Sequence, residues 1–175
     1  EIGSVIYVAK NNIFLGYIVV QDKIKEESKE VISYLNSKGK TIMLTGDNSS
    51  VANKVASYLN LTSYKASLLP QDKVKEVENI IKNKGKNDVV CYVGDGINDA
   101  PSLMIADVGI SMGKVGSDAA IEASDVVITN DNLTKIKLSK RIAKKVITIV
   151  SENIYFAIGV KVLVLILSAL GYAEM

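Results

Sequence analysis

Residues 89–101 read Val89-Val90-Cys91-Tyr92-Val93-Gly94-Asp95-Gly96-Ile97-Asn98-Asp99-Ala100-Pro101. An apolar, mostly β-branched run is a buried strand, and it ends abruptly in a glycine-flanked pair of carboxylates. Asp95 and Asp99 stand four residues apart, so a tight turn entering a helix can aim both at one point. Such a turn also offers unpaired backbone N–H groups and the positive end of a helix dipole to a phosphate. Two hard oxygen ligands without Cys or His suit Mg²⁺ rather than zinc.

Outward from this stretch, strands and helices alternate. Thr41 to Leu44 is a short strand ending in Thr45-Gly46-Asp47, and Asn48-Ser49-Ser50 caps a helix striped by Val51, Val55 and Leu59. Tyr64-Lys65-Ala66 is a weaker strand, followed past Pro70 by a helix with Val74, Val77, Ile80 and Ile81. Asp107 to Met112 and Val126 to Thr129 supply two more strands, with a short helix near 119–123. The alternation predicts a doubly wound parallel sheet with helices on both faces. Upstream, residues 4–8 and 13–20 form a hairpin about Lys10-Asn11-Asn12. A helix begins after Asp22 with Ile24, Val31, Ile32 and Leu35 on one face, and Gly39 stops it.

Ligands bind such sheets at the carboxyl ends of the strands. There the Thr45 hydroxyl can donate to a phosphoryl oxygen, Gly46 lets the backbone come close, and Lys73 adds a point charge. Magnesium, a lysine and hydroxyl or amide donors are what phosphoryl transfer requires, because its transition state is stabilised mostly by charge.

The rest of the composition bounds the answer. A net charge of +2 is too small to argue for nucleic acid, and the absence of His removes imidazole triads and metal sites. The single Cys91 forms no internal disulfide and reads as a core thiol. Lys135, Lys137, Lys140, Arg141, Lys144 and Lys145 precede an apolar stretch, Ile154 to Leu170, interrupted by Lys161. That stretch has the roughly 20 residues a bilayer needs, with cations on the near side, so it predicts a membrane helix whose basic end is cytoplasmic.

At these residues the sequence resembles the P-type ATPases, whose phosphorylation domain has the haloacid-dehalogenase-like fold. Thr45-Gly46-Asp47, Pro70-Gln71-Asp72-Lys73 and Gly94 to Pro101 match three family signatures in order, and Asp22-Lys23-Ile24-Lys25 resembles the hinge leaving the nucleotide-binding domain. The resemblance implies that Thr45 and Lys73 contact the phosphoryl group. It implies further that Asp95 holds Mg²⁺ with Asp99 in support, that Asn98 touches phosphate, and that Gly46 and Asp47 lie near ATP. Residues 1–20 would close the nucleotide-binding domain, 21–132 would form most of the phosphorylation domain, 133–151 a basic linker helix and 152–171 the membrane helix.

Asn153 to Lys161 is similar to the equivalent helix of zinc-, cadmium- and lead-exporting members. Copper-exporting members carry a Tyr-Asn pair where this chain has Val160-Lys161. The resemblance makes Asn153 and Lys161 candidates for the transport pathway of a heavy-metal cation in the cell membrane, with the actuator domain, the nucleotide-binding domain and further helices as partners. The phosphorylated Asp of the family lies in an Asp-Lys-Thr-Gly-Thr motif absent from this sequence. Its strand belongs between those ending at Thr45 and Val93, so the sheet is expected to lack its central strand. The chain alone is expected to be inactive and to fold poorly or pair unusually. A copper-type pump segment, a soluble phosphatase of the same fold and an inert membrane-anchored Mg²⁺-binding module are the competing readings.

Overall fold

The computed structural model describes residues 4–20, 23–94, 97–113, 121–130 and 132–172. It divides into two compact units, Glu1–Leu133 and Thr134–Met175.

The first unit opens with a hairpin, β1 (Ser4–Lys10) and β2 (Ile13–Val20). Asn11 and Asn12 take φ of 51° and 61°, the left-handed pair that a two-residue hairpin turn demands and that Asn tolerates. Tyr7 lies opposite Tyr17, and its ring packs against Phe14 and Tyr17 at 6.3 and 6.5 Å. Ile6, Val8 and Ile18 on the opposite face are also exposed. Apolar residues on both faces mark strands built to be covered on both sides.

Helix α1 spans Ser28–Asn36, so Ile24 precedes it rather than sharing its stripe. β3 (Ile42–Leu44) pairs in parallel with β4 (Ser63–Lys65) across α2 (Ser49–Leu59). The Asn48 side chain caps α2 by accepting from Val51 N–H at 3.0 Å, and Asn60 ends it in the left-handed region. Val31, Ala52 and Ala56 are buried here; their small volumes suit the close approach of α1 and α2.

After α3 (Pro70–Asn83) comes β5 (Cys91–Gly94), a 3₁₀ turn (Ile97–Asp99), α4 (Ala100–Ile105), β6 (Val108–Met112) and β7 (Val126–Ile128). These three strands form a second parallel sheet in the order β5-β6-β7. α4 packs on β5 and β6, burying Leu103 with Ile110, Met112 and Ile128 close by in the core. Asp125 clamps Gly109 by accepting its N–H at 2.8 Å while donating its own backbone N–H to the Gly109 carbonyl at 2.9 Å.

β3 and β5 share no ladder, so the parallel strands stand as two sheets rather than one. The nearest substitute for a connecting strand is α3. Glu76 pairs with Lys65 of β4 at 3.5 Å, Lys73 reaches Asp99 beyond β5, and Lys84 just past its end pairs with Asp107 before β6.

Two expectations are corrected. Val89 and Val90 lie before β5, with Val89 exposed, and Cys91 is exposed rather than in the core. The reason is common to both: β5 is the edge of its sheet, and Cys91 and Val93 share the face that no described element covers. Of the expected helix near 119–123, residues 119 and 120 lie outside the described residues, while 121 and 122 are helical.

The second unit is a single helix, α5 (Thr134–Ala169), 36 residues without a break between its basic and apolar parts. At ~1.5 Å per residue it runs roughly 54 Å, against ~30 Å for a bilayer core. Among the described residues it is the one helix long and apolar enough to cross a membrane.

Candidate active site

The candidate residues lie in two loops, at the carboxyl ends of β3 and of β5. At the first, Thr45 continues the ladder by donating its N–H to the Lys65 carbonyl at 3.0 Å. Its hydroxyl donates to Asp47 Oδ2 at 2.9 Å and accepts the Asp47 N–H at 3.1 Å, closing a two-residue ring around Gly46. A Cβ on Gly46 would lie 3.4 Å from the Leu68 carbonyl, so the loop packs its backbone closely against residues 67–68. Gly46 and Asp47 are exposed and Thr45 half-buried.

At the second end, Asp99 closes the 3₁₀ turn and is 8% exposed. Its Oδ1 accepts from two donors, Lys73 Nζ at 2.9 Å and Tyr92 Oη at 3.0 Å. Oδ2 takes no donor among the described residues. Pro70 opens α3, and Asp72 caps it by accepting the Leu69 N–H at 3.2 Å, which places Lys73 in the first turn. Gly94 lets Asp99 fold back, since a Cβ there would come within 2.8 Å of the Asp99 Cβ.

The structure thus joins Thr45 with Asp47 and Lys73 with Asp99. Asn98 is exposed on the turn beside Asp99 and makes no hydrogen bond among the described residues. Asp95 lies outside the described residues. Asn153 and Lys161 are exposed on α5, eight residues or about 12 Å apart along its axis. Lys161 makes no ion pair among the described residues.

Sequence reasoning missed Tyr92. Its signal was present: a phenol inside an apolar strand, two residues before the glycine of a carboxylate loop, must find a polar partner for its hydroxyl. It also missed the Lys84–Asp107 pair. Hydrogen bonds from Lys84 and then from Val90 N–H (2.7 Å) hold the Asp107 carboxyl below the ordinary carboxylate value.

The Asp99 carboxylate oxygen without a donor, beside the Lys73 ammonium, suits a hard divalent cation and a phosphoryl group by donor chemistry, although no cluster of three or more metal-capable side chains forms among the described residues. Residues 2–107 match the model of the haloacid dehalogenase-like hydrolases, and the chain belongs to that family. Within that class, its likeness is to the heavy-metal-transporting P-type ATPases. It is 43% identical to the zinc-transporting ATPase of Synechocystis, over 99% of this chain and 24% of that protein. It is likewise 43% identical to the cadmium, zinc and cobalt-transporting ATPase of Bacillus subtilis, over 99% of this chain and 25% of that one. A crystal structure of a zinc-transporting PIB-type ATPase in the E2.Pi state superimposes with a TM-score of 0.81 at 36% identity, covering 99% of this chain and 28% of that one. The chain spans about a quarter of the length of these curated relatives.

Proposed function

We propose that this chain is the phosphoryl-handling and membrane-entry segment of an ATP-driven pump that exports a soft divalent cation, of the zinc, cadmium or lead class, across the cell membrane. What supports the reading is the continuity of the likeness: it runs through both strand-end loops and on through α5. The α/β unit lies in the cytoplasm on this reading, and α5 enters the bilayer from its basic end.

In the proposed cycle Lys73 holds its charge against the transferring phosphoryl group, kept in place by Asp99, while Tyr92 shares the load on Oδ1. The Thr45 hydroxyl, held by Asp47 here, turns to donate to a phosphoryl oxygen, and Asn98 offers its amide to phosphate. Gly46 and Asp47 border ATP. Asp95 and Asp99 are the Mg²⁺ ligands, and the bound ion would screen the negative charge that accumulates on the phosphoryl oxygens. Lys161 and Asn153 line the cation route.

The nucleophilic Asp comes from elsewhere in the pump, so this chain by itself should form no phosphoenzyme. The test is the full-length pump that contains this segment, assayed for metal-stimulated ATP hydrolysis and for phosphoenzyme. Zinc- or cadmium-stimulated turnover, abolished by Lys73→Met, supports the reading. Turnover indifferent to soft divalent cations, or a phosphoenzyme formed on the 175-residue chain, overturns it.

A further inference from the structure

The first twelve residues of α5 carry Lys135, Lys137, Lys140, Arg141, Lys144 and Lys145, and no acidic residue lies between Asp131 and Glu152. This arrangement opposes local helix electrostatics. The helix N-terminus is the positive end of the dipole and favours Asp or Glu, yet the first turn has none. Lys140, Arg141, Lys144 and Lys145 are exposed and make no ion pair among the described residues. At about 100° per residue these four fall within roughly 140° of arc. Leu138, Ile142, Val146, Ile149 and Val150 occupy the other side. A cationic face this concentrated, without counter-charges of its own, is built for an external anionic surface.

Its position says which surface. Counting back from Gly171, the end of the 152–171 membrane stretch, about 20 residues fill a bilayer core and the next five or so fill the headgroup layer. That count brings Lys144 and Lys145 to the layer's outer edge, with Arg141 and Lys140 one turn beyond. All four side chains then reach within about one Debye length, roughly 8 Å, of the lipid charges. We infer that Lys140, Arg141, Lys144 and Lys145 form a binding surface for the anionic lipid headgroups of the leaflet that α5 enters. The inference rests on the reading of α5 as a membrane helix.

The experiment uses this chain in phosphatidylcholine vesicles containing a trace of spin-labelled phosphatidylglycerol or spin-labelled phosphatidylcholine. Alkaline washing first establishes whether the chain is inserted; a chain that washes off overturns the membrane reading and this inference with it. For the inserted chain, the immobilised fraction of the anionic label should exceed that of the neutral one by at least about fivefold, the effect of a single cation near such a surface. The ratio should fall toward one in 1 M salt, where the Debye length shrinks to ~3 Å.

Replacing the four cations by Gln should abolish the preference. Replacing Lys38, Lys54, Lys82 and Lys86 by Gln, an equal change in net charge on the other unit, should leave it. If the fourfold variant inserts poorly, Lys144→Gln and Lys145→Gln singly should each lower the ratio. Equal affinity for the two labels, or loss of preference in the control variant as well, overturns the inference and leaves the face to an acidic protein segment.

Discussion

Lys73 and Asp99, 26 residues apart in sequence, meet at 2.9 Å across the gap between the first turn of α3 and the turn after β5. Their side chains are only 20% and 11% exposed, so the pair is held largely out of water. Removing one member of such a pair strands the other, which costs more than the pair is worth on net. Asp99→Asn and Lys73→Met should each lower unfolding stability by about 1–3 kcal/mol, read from urea midpoints. The double variant should lose less than the sum, with a coupling on the order of 1 kcal/mol. Strict additivity would show that the two groups do not support each other.

Tyr92 should matter less for stability than for where Asp99 points. Tyr92→Phe keeps the ring and removes one of the two donors to Oδ1, and should cost about 0.5–1.5 kcal/mol. In the full-length pump it should slow phosphoryl transfer while leaving Lys73 paired. Identical stability and turnover in the Phe variant would reduce the 3.0 Å contact to a bystander.

Much of this fold was legible because its punctuation is chemical. Asn11-Asn12 satisfied a left-handed turn, Asn48 capped a helix, and the glycines of the two loops announced backbone approach. What was not legible depended on partners distant in sequence. The exposure of Cys91 follows from β5 being an edge strand, and no local pattern separates an edge strand from a central one when both read as apolar runs. The role of α3 as a tie between two sheets was hidden for the same reason. Glu76 and Lys84 look like ordinary solvent charges until Lys65 and Asp107 arrive beside them, and the pairing of Lys73 with Asp99 is equally invisible to local pattern. Helix starts lag where side-chain caps are absent: α1 begins at Ser28 with no side-chain hydrogen bond at its cap.

Acid should reach Asp107 later than an ordinary carboxylate. Its folded carboxyl is held below its ordinary value of 3.8 by the Lys84 hydrogen bond and then by Val90 N–H. A depressed carboxylate lends its stability in full above the unfolded pKa, and that contribution is lost as pH falls through the lowered folded value. Asp107→Asn should therefore be less stable than the parent chain at pH 7. The difference should shrink steadily below about pH 4, as both states take up the proton. A difference that persists unchanged at pH 2 would assign the effect to packing rather than to charge.

Gly109 answers to sterics alone. A Cβ there would sit 2.6 Å from the Leu103 carbonyl oxygen, and backbone on both sides leaves nothing to give. Gly109→Ala should destabilise by about 1–3 kcal/mol, as overpacking does. Gly39→Ala, with nothing within 4 Å, is the matched control and should change stability little. Equal effects at the two positions would mean that α4 does not press on β6 as closely as described.

Ser102, in α4 three residues after Asp99, is completely buried, and its hydroxyl has no partner among the described residues. A buried hydroxyl that has given up water without gaining a hydrogen bond costs about 1–3 kcal/mol. Removing it without changing the shape of the backbone recovers part of that cost, and alanine leaves only a small void behind. Ser102→Ala should accordingly be neutral or raise stability by up to about 2 kcal/mol. Ser102→Val tests the other limit, because it keeps the site apolar but adds volume between α4 and the sheet, and it should destabilise by roughly 1–3 kcal/mol. Thermal or urea unfolding of the two variants separates the effects. If alanine costs more than about 1 kcal/mol, the hydroxyl is hydrogen-bonded in solution, and the turn bearing Asp99 draws support from it.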